Sequence, residues 1–191
     1  MFIDCFSYKI FKTNLNFSYK QELVDIISKI SEEKINEGDH DVTDASLFYY
    51  FVENDDRYKK NDINIVDYFH SQIQDKVNYF SNLINFNKNL EIFDIWCTSY
   101  ENNQKCKPHD HVYEDNLFSG IYYLSFDNNE HQTTTFFNNG GLSESFKPQC
   151  NEDDLLIFPA HAVHGYYGTV SSKKRIVIPF NVKIKSNFEY F

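Results

Sequence analysis

Two histidines separated by one residue are the first feature of this sequence that could do chemistry. His109 and His111 stand in the segment 107–111 (KPHDH). If that segment is a strand, both side chains leave the same face of its sheet, and two imidazoles could reach one metal ion without bending the backbone. The chain contains seven histidines, so such a pair can also arise by chance and lie in solvent. The pair alone leaves both interpretations open.

A second group of reactive residues lies in the C-terminal third of the chain. Segment 153–159 (DDLLIFP) is an apolar run that ends at a proline, and His164 and then Arg175 follow it. Alternation along residues 175–184 places Arg175 opposite a continuous apolar face. If these strands meet across the mouth of a two-sheet barrel, His164 completes the metal site, and Arg175 is an enclosed cation that can bind a carboxylate through two N–H groups. The alternative for Arg175 is an ordinary surface cation.

The elements that must position these residues change in type near residue 90. Before that point, apolar residues recur at helical spacing. One helix is predicted after Ser18 and a second from about Asn64, with residues 34–62 as a polar loop that contains a short strand at 47–52. The predicted apolar faces of the two helices comprise Leu23, Ile26, Ile27, Ile30, Val66, Phe69, Ile73, Val77 and Phe80.

After residue 90, short apolar segments alternate with turn residues, as expected for strands. The predicted strands are 92–100, 107–112, 117–126, 133–137, 154–158 and 175–184. This order predicts a mainly β fold with α-helices (α+β): a double-stranded β-helix, also called a jelly roll and cupin-like, with the N-terminal helices packed on one sheet.

The absence of a Pro/Gly-rich linker predicts a single domain over residues 1–191. Within it, we expect residues 1–90 to supply helical support and loops, and residues 91–191 to form the jelly-roll core with the metal site.

Composition and charge argue against several classes of protein. A formal net charge of −10 makes a nucleic-acid partner unexpected. No apolar stretch approaches the roughly 18 residues that a membrane-spanning helix needs, and no signal-peptide pattern is present. Four cysteines, none in a CxxC pair, suggest free thiols and a cytoplasmic protein.

Three motifs, taken in order, carry a family resemblance. They are 107–111 (KPHDH), 119–124 (SGIYYL), and the C-terminal set of 154–159 (DLLIFP), His164 and Arg175. Together they resemble the 2-oxoglutarate/Fe(II)-dependent oxygenase superfamily, and more narrowly a group found in phage and marine microbial genomes with the pattern HxH…SGxYYL…FP…H…R. The resemblance covers residues 92–184.

The resemblance implies a function and a set of roles. It implies a hydroxylase that uses Fe²⁺, 2-oxoglutarate and O₂ and releases succinate and CO₂. His109 and His164 match the iron ligands, while Arg175 and Tyr123 match residues that bind the distal carboxylate of 2-oxoglutarate. Ser119 shares a strand face with Tyr123 and is a further candidate for binding the co-substrate. Tyr123 could equally be an ordinary core tyrosine.

One position departs from the family pattern. The common pattern has aspartate where this sequence has His111. Strand alternation favours His111 as the third ligand, which gives three neutral imidazoles and a site charge that dianionic 2-oxoglutarate would neutralise. The alternative is a carboxylate ligand from Asp110, Glu114 or Asp115.

Other polar residues have minor predicted roles. His161 is a candidate for a contact that supports the metal ligands or the substrate. Thr134 and Thr135 are predicted to line the pocket. His40, His70 and His131 are expected to take no part.

The substrate is not named by any motif. It could be a small molecule or a protein side chain, selected by loops 34–62, 100–106 and 138–152, and an oligomer is compatible with the sequence. Two other interpretations stay open: a cupin-like metal enzyme that does not use 2-oxoglutarate, and a non-catalytic jelly-roll binding module. Arg175 argues against the cupin-like enzyme, because an enzyme that does not bind 2-oxoglutarate has no need for an enclosed arginine. The binding module predicts no stoichiometric uptake of Fe²⁺.

Overall fold

A computed structural model describes residues 1–32, 42–52, 55–113, 115–138 and 141–186, with 141–143 described by their backbone. The helices are α1 (Lys20–Glu32) and α2 (Ile65–Leu83), and a 3-10 turn spans Asp56–Tyr58. The strands are β1 (Phe2–Cys5), β2 (Tyr8–Asn14), β3 (Leu47–Tyr50), β4 (Lys59–Lys60), β5 (Ile63–Asn64), β6 (Leu90–Tyr100), β7 (Cys106–His109), β8 (Phe118–Ser125), β9 (Thr135–Asn138), β10 (Gly141–Phe146), β11 (Asp154–Pro159), β12 (His164–Tyr166) and β13 (Arg175–Ile184).

Two antiparallel sheets build the core. The larger has the order β1-β2-β11-β8-β13-β6-β3 and the smaller the order β10-β9-β12-β7, while β4 and β5 form a separate small hairpin. Their inner faces meet: the Phe136 ring on β9 lies 4.9 Å from the Phe158 ring on β11, and Tyr100 on β6 lies 4.9 Å from Tyr166 on β12. This is the predicted mainly β jelly roll with helices.

Both helices cover the outer face of the larger sheet. The Phe69 ring of α2 packs 5.2 Å from the Tyr122 ring of β8, and Phe80 packs 5.0 Å from Phe118. The predicted apolar faces of α1 and α2 are buried in this layer. Each such side chain contributes about 1.5–3 kcal/mol by leaving water, so the helices fix the sheet from behind and leave its inner face for the site.

The predicted starts of α2 and β13 are confirmed. The side chain of Asn64 accepts hydrogen bonds from the backbone N–H groups of Val66 and Asp67 and so caps α2, as an N-cap residue does. Strand β13 begins at Arg175, and its residues alternate between the helical layer and the inter-sheet space.

The structure corrects the prediction for the N-terminal region. Residues 2–14 form a hairpin of two strands rather than helix or loop, and β2 pairs with β11. Ile10 is buried between the two sheets and Phe11 beneath the helices. Because the two buried residues of β2 are adjacent and so lie on opposite faces, alternation does not distinguish the segment as a strand.

Three local features differ from the prediction or fall outside it. Strand β7 stops at His109, and β10 and β12 are additional short strands. In the described ranges, no helix is both long and apolar enough to cross a membrane, and all four cysteines are free thiols.

Candidate metal centre

Three histidines converge between the two sheets. His109 ends β7 and His164 begins β12, and the two residues face each other directly in the antiparallel register. His111 lies beyond the end of β7, where its backbone N–H donates to the carbonyl of Ala160 at 2.9 Å. The convergence of His111 with His109 therefore comes from this bond to the turn after β11, and the predicted alternation along one strand is not its cause.

The ring nitrogens form a cluster of the size that a metal ion requires. One ligand atom from each of His109, His111 and His164 lies within 4.8 Å of the other two. The Nε2 atoms of His109 and His111 are 3.1 Å apart. The centroid of the His164 ring lies 4.6 Å from that of His109 and 5.1 Å from that of His111.

Backbone carbonyls fix the tautomer of two of these histidines. Nδ1 of His109 lies 2.9 Å from the carbonyl oxygen of Lys107, and Nδ1 of His164 lies 2.9 Å from that of Ala162. A carbonyl can only accept, so each Nδ1 carries the hydrogen and each Nε2 presents a lone pair to the cluster. Such a bond on the far nitrogen is the usual support of a metal-binding histidine.

Burial keeps all three imidazoles neutral. Desolvation lowers the pKa of His109, and the Lys107 carbonyl and Asp110 oppose it. Desolvation, with the nearby His109, lowers the pKa of His111 to about 4, although the Asn181 amide opposes it. Desolvation and the two other histidines lower the pKa of His164 well below its usual value. Neutral imidazoles are the form that binds metal.

The residues present fit a divalent transition metal. Three imidazole nitrogens suit Fe²⁺ as well as Zn²⁺, and lone pairs 3.1 Å apart repel unless a proton or a metal ion lies between them. The alternative ligand Asp110 is exposed, and its carboxylate accepts from the backbone N–H of Val112. Neither Asp110 nor Asp115 belongs to the cluster within the described residues, and Glu114 lies outside them.

Arg175 occupies the same cavity as the histidines. Its side chain is 2% exposed, its Nη2 donates to Thr134 Oγ1 over a long 3.4 Å, and its Nε has no partner. The guanidinium carbon lies 4.1 Å from the ring centroid of Tyr166 and 5.3 Å from that of Tyr100. Among the described residues, no carboxylate forms an ion pair with Arg175. A buried guanidinium that no described carboxylate neutralises can form charged hydrogen bonds to an anion.

Tyr123 lies beside Arg175, whose guanidinium carbon is 5.6 Å from the centroid of the Tyr123 ring. The Tyr123 hydroxyl donates to Thr134 Oγ1 at 3.0 Å and accepts from the Thr134 backbone N–H at 3.1 Å, and Tyr123 does not line the cavity. Thr134 does line it, as predicted, and accepts bonds from both Tyr123 and Arg175. Its own hydroxyl hydrogen is therefore left to donate into the cavity.

Ser119 also lines the cavity. Its hydroxyl donates to Asn181 Oδ1 at 2.9 Å and accepts from the Asn116 amide at 3.2 Å. Asn181 in turn donates to the hydroxyl of Tyr113. The Asn116 amide also donates to the backbone carbonyl of His111 at 3.0 Å, so this chain of polar groups contacts the backbone of His111.

The cavity has a volume of about 290 Å³, and it is lined by the three histidines, Ser119, Thr134 and Arg175. Its lining includes aromatic residues to which the motifs did not assign a role: Phe48, Tyr50, Trp96, Tyr100, Tyr113 and Tyr166. One signal could have found part of this lining, since Trp96, Thr98 and Tyr100 alternate along β6 and share its inner face.

The remaining predicted residues lie elsewhere. His161 is exposed, with its ring packed edge-on 5.8 Å from Tyr8, and does not line the cavity. Neither Thr135, His70 nor His131 lines it, and His40 lies outside the described residues.

Comparisons with known proteins agree with the fold. No family model and no curated protein matches the sequence. A prolyl-4-hydroxylase from Pseudomonas putida superposes with a TM-score of 0.67 at 11% identity, covering 94% of this chain and 95% of that one. A prolyl hydroxylase from Trichoplax adhaerens, in complex with a hypoxia inducible factor peptide, gives 0.68 at 13% identity over 92% and 83%. The epimerase SnoN from nogalamycin biosynthesis, a non-heme α-ketoglutarate-dependent enzyme, gives 0.67 at 12% identity over 92% and 77%. At these identities the likeness establishes a shared fold.

Proposed function

We propose that this chain is an Fe²⁺- and 2-oxoglutarate-dependent oxygenase that hydroxylates its substrate and releases succinate and CO₂. One observation carries the proposal: a buried arginine without a carboxylate partner among the described residues shares a cavity with three neutral, converging histidines. That cavity offers a metal site at one end and an anion site at the other, which matches a dicarboxylate that also binds metal.

The chain's own residues would divide the work as follows. His109, His111 and His164 would hold Fe²⁺ through Nε2. Arg175 would bind the distal carboxylate of 2-oxoglutarate, with the Thr134 hydroxyl as a second donor oriented by Tyr123. Bound iron would supply the coupled oxidation of 2-oxoglutarate and substrate by O₂.

Electrostatics favour this ligand. Three neutral histidines leave the full charge of Fe²⁺ in a buried site, and Arg175 adds a further positive charge that no described carboxylate offsets. A dianion that reaches both ends neutralises most of this charge. Each charged hydrogen bond at the arginine contributes about 1.5–3 kcal/mol net, so a bidentate contact supported by Thr134 gives about micromolar affinity.

Arg175 also separates this proposal from a cupin-like metal enzyme that does not use 2-oxoglutarate. Three histidine ligands suit both. Only the first makes use of a desolvated guanidinium aimed into the same cavity.

The substrate would meet the aromatic wall formed by Phe48, Tyr50, Trp96 and Tyr113. Such a wall favours an apolar or planar group, carried either by a small molecule or by a protein side chain. Free thiols favour a cytoplasmic enzyme, of the kind found in the phage and marine microbial group that the motifs resemble. We expect no nucleic-acid partner.

The test combines a binding signal with turnover. Anaerobic addition of Fe²⁺ and 2-oxoglutarate is expected to give a weak visible charge-transfer band, and admission of air is expected to give slow succinate formation without substrate. His164→Ala should abolish both signals, and Arg175→Met should keep metal binding but lose most of the 2-oxoglutarate signal. The matched control is His161→Ala, which removes a histidine outside the cavity and should behave as wild type. Metal-loaded wild type with neither signal would overturn the proposal.

A further inference from the structure

The three histidines differ in how their rings are held. His109 and His164 each donate from Nδ1 to a backbone carbonyl. Nδ1 of His111 is buried and has no hydrogen-bond partner of good geometry. The imidazole torsion χ2 is broad and roughly two-fold, so a ring without such a bond must be oriented by packing.

Packing at His111 comes from a column of nearly parallel rings. Its ring lies between His164 (5.1 Å, 18°) and Trp96 (5.8 Å, 17°). Trp96 in turn stacks on Phe48 at 5.9 Å and 20°, and only 6% of its surface is exposed. The column therefore runs from the edge strand β3 to the candidate metal site.

We propose that Trp96 is a positioning residue for the metal site: its indole face holds the untethered third histidine, His111, in the orientation that binds the ion. The inference rests on the proposed metal site and adds a residue that does not itself touch the metal. Metal binding polarises an imidazole toward positive charge, and the negative face of an indole attracts such a ring more strongly than a neutral one. The stack therefore stabilises the metal-bound state more than the metal-free state.

A double-mutant cycle on the metal-free full chain tests this, with Co²⁺ as the probe and a competing chelator to set its free concentration. Trp96→Leu removes the aromatic face and is expected to weaken Co²⁺ binding by about tenfold, the low end of effects for residues that support metal ligands. Trp96→Phe keeps a ring and should stay within about threefold of wild type. In a His111→Ala background, Trp96→Leu should change the affinity by less than about twofold, because the ligand through which it acts is gone.

Phe137→Leu is the matched control. It also replaces a buried aromatic ring by leucine, on a residue whose ring contacts Tyr167 instead of the histidines, and it should leave Co²⁺ affinity unchanged. If the Trp96→Leu protein does not fold, Trp96→Met, whose flexible unbranched side chain adapts to irregular space without an aromatic face, takes its place in the cycle.

Spectroscopy gives a second readout. Trp96 is the chain's single tryptophan, so its fluorescence reports on the column alone. Co²⁺ is expected to quench that emission in wild type and much less after His111→Ala. The visible Co²⁺ spectrum of Trp96→Leu should move toward that of His111→Ala.

The outcomes separate the two proposals. Wild type without stoichiometric Co²⁺ or Fe²⁺ binding overturns the proposed function and this inference with it. Metal binding in wild type with an equal loss for Trp96→Leu in both backgrounds, or with no loss at all, overturns only the role of Trp96.

Discussion

Replacing Arg175 by methionine should strongly weaken 2-oxoglutarate binding while changing the stability of the ligand-free protein little. Methionine keeps the unbranched chain and much of the volume while removing the charge. In the folded protein the guanidinium is buried and has no ion-pair partner among the described residues. The cost of burying this charge is offset by the tyrosine faces and by the long hydrogen bond to Thr134.

The magnitude follows from two opposing terms. Removing a buried charge and filling its place with apolar atoms is neutral or stabilising by about 1–4 kcal/mol in comparable sites. Loss of the cation–π contacts lowers the stability of the variant by about 2 kcal/mol. We therefore expect the stability of the ligand-free variant to lie within about 2 kcal/mol of that of wild type. Loss of the bidentate contact, two charged hydrogen bonds of about 1.5–3 kcal/mol each, should weaken 2-oxoglutarate binding by about 150-fold or more.

Urea unfolding with and without 2-oxoglutarate, at saturating Mn²⁺ to prevent turnover, measures both effects. At a concentration one hundred times the wild-type dissociation constant, the ligand should stabilise wild type by about 2.7 kcal/mol. The variant should gain far less at the same concentration. Arg57, the other arginine of the chain, is paired with Asp55. Arg57→Met should therefore leave the ligand-induced gain unchanged.

One result would refute the reasoning. If Arg175→Met destabilises the ligand-free protein by about 3–5 kcal/mol, the loss expected when a buried ion pair is broken, then the guanidinium already has a partner in the folded chain. The cavity would then have no spare positive charge for a carboxylate, and the case for 2-oxoglutarate would lose its basis.

Three further predictions concern the co-substrate, the metal and the packing behind the site. Thr134→Val should raise the KM for 2-oxoglutarate about tenfold with little change in kcat, since a donor to the bound carboxylate is lost; a larger rise for Tyr123→Phe than for Thr134→Val would contradict the assigned order of contacts. A chelator should lower the melting temperature of metal-loaded wild type but not that of His164→Ala, and an equal drop in both would place the stabilising metal elsewhere. Gly120→Ala should destabilise the fold by about 1–3 kcal/mol in urea unfolding, because an added Cβ would lie 2.1 Å from a ring atom of Phe180. Adding Phe180→Leu to this variant should recover part of the loss. A loss below about 0.5 kcal/mol for Gly120→Ala alone would show that the Phe180 ring moves freely.

The helices and the last strand could be predicted because their information is local. The apolar residues of α1 and α2 recur at helical spacing, and β13 alternates from its first residue, so Arg175 falls on the inner face by periodicity alone. The motifs also located the two tethered histidines. By contrast, β2 is covered on both faces and carries no alternation to recognise.

Two contacts at the site depend on segments distant in sequence. His111 is held by the Ala160 carbonyl and by Trp96, from the turn after β11 and from β6. Tyr123 is turned toward Thr134 by the loop before β9, which leaves Thr134 as the hydroxyl that lines the cavity. No local sequence pattern predicts the contacts of His111 or the contact between Tyr123 and Thr134.

The sequence by itself thus determined the classes of residue available for chemistry and the faces on which most of them lie, because side-chain periodicity is a property of a single segment. Only the tertiary structure decided which groups meet: three imidazoles within 4.8 Å of one another, and a guanidinium enclosed by tyrosine rings with no acid paired to it among the described residues. The physical reason is that strand pairing and sheet packing join segments far apart in the chain, and the register of that pairing sets distances that no single segment contains.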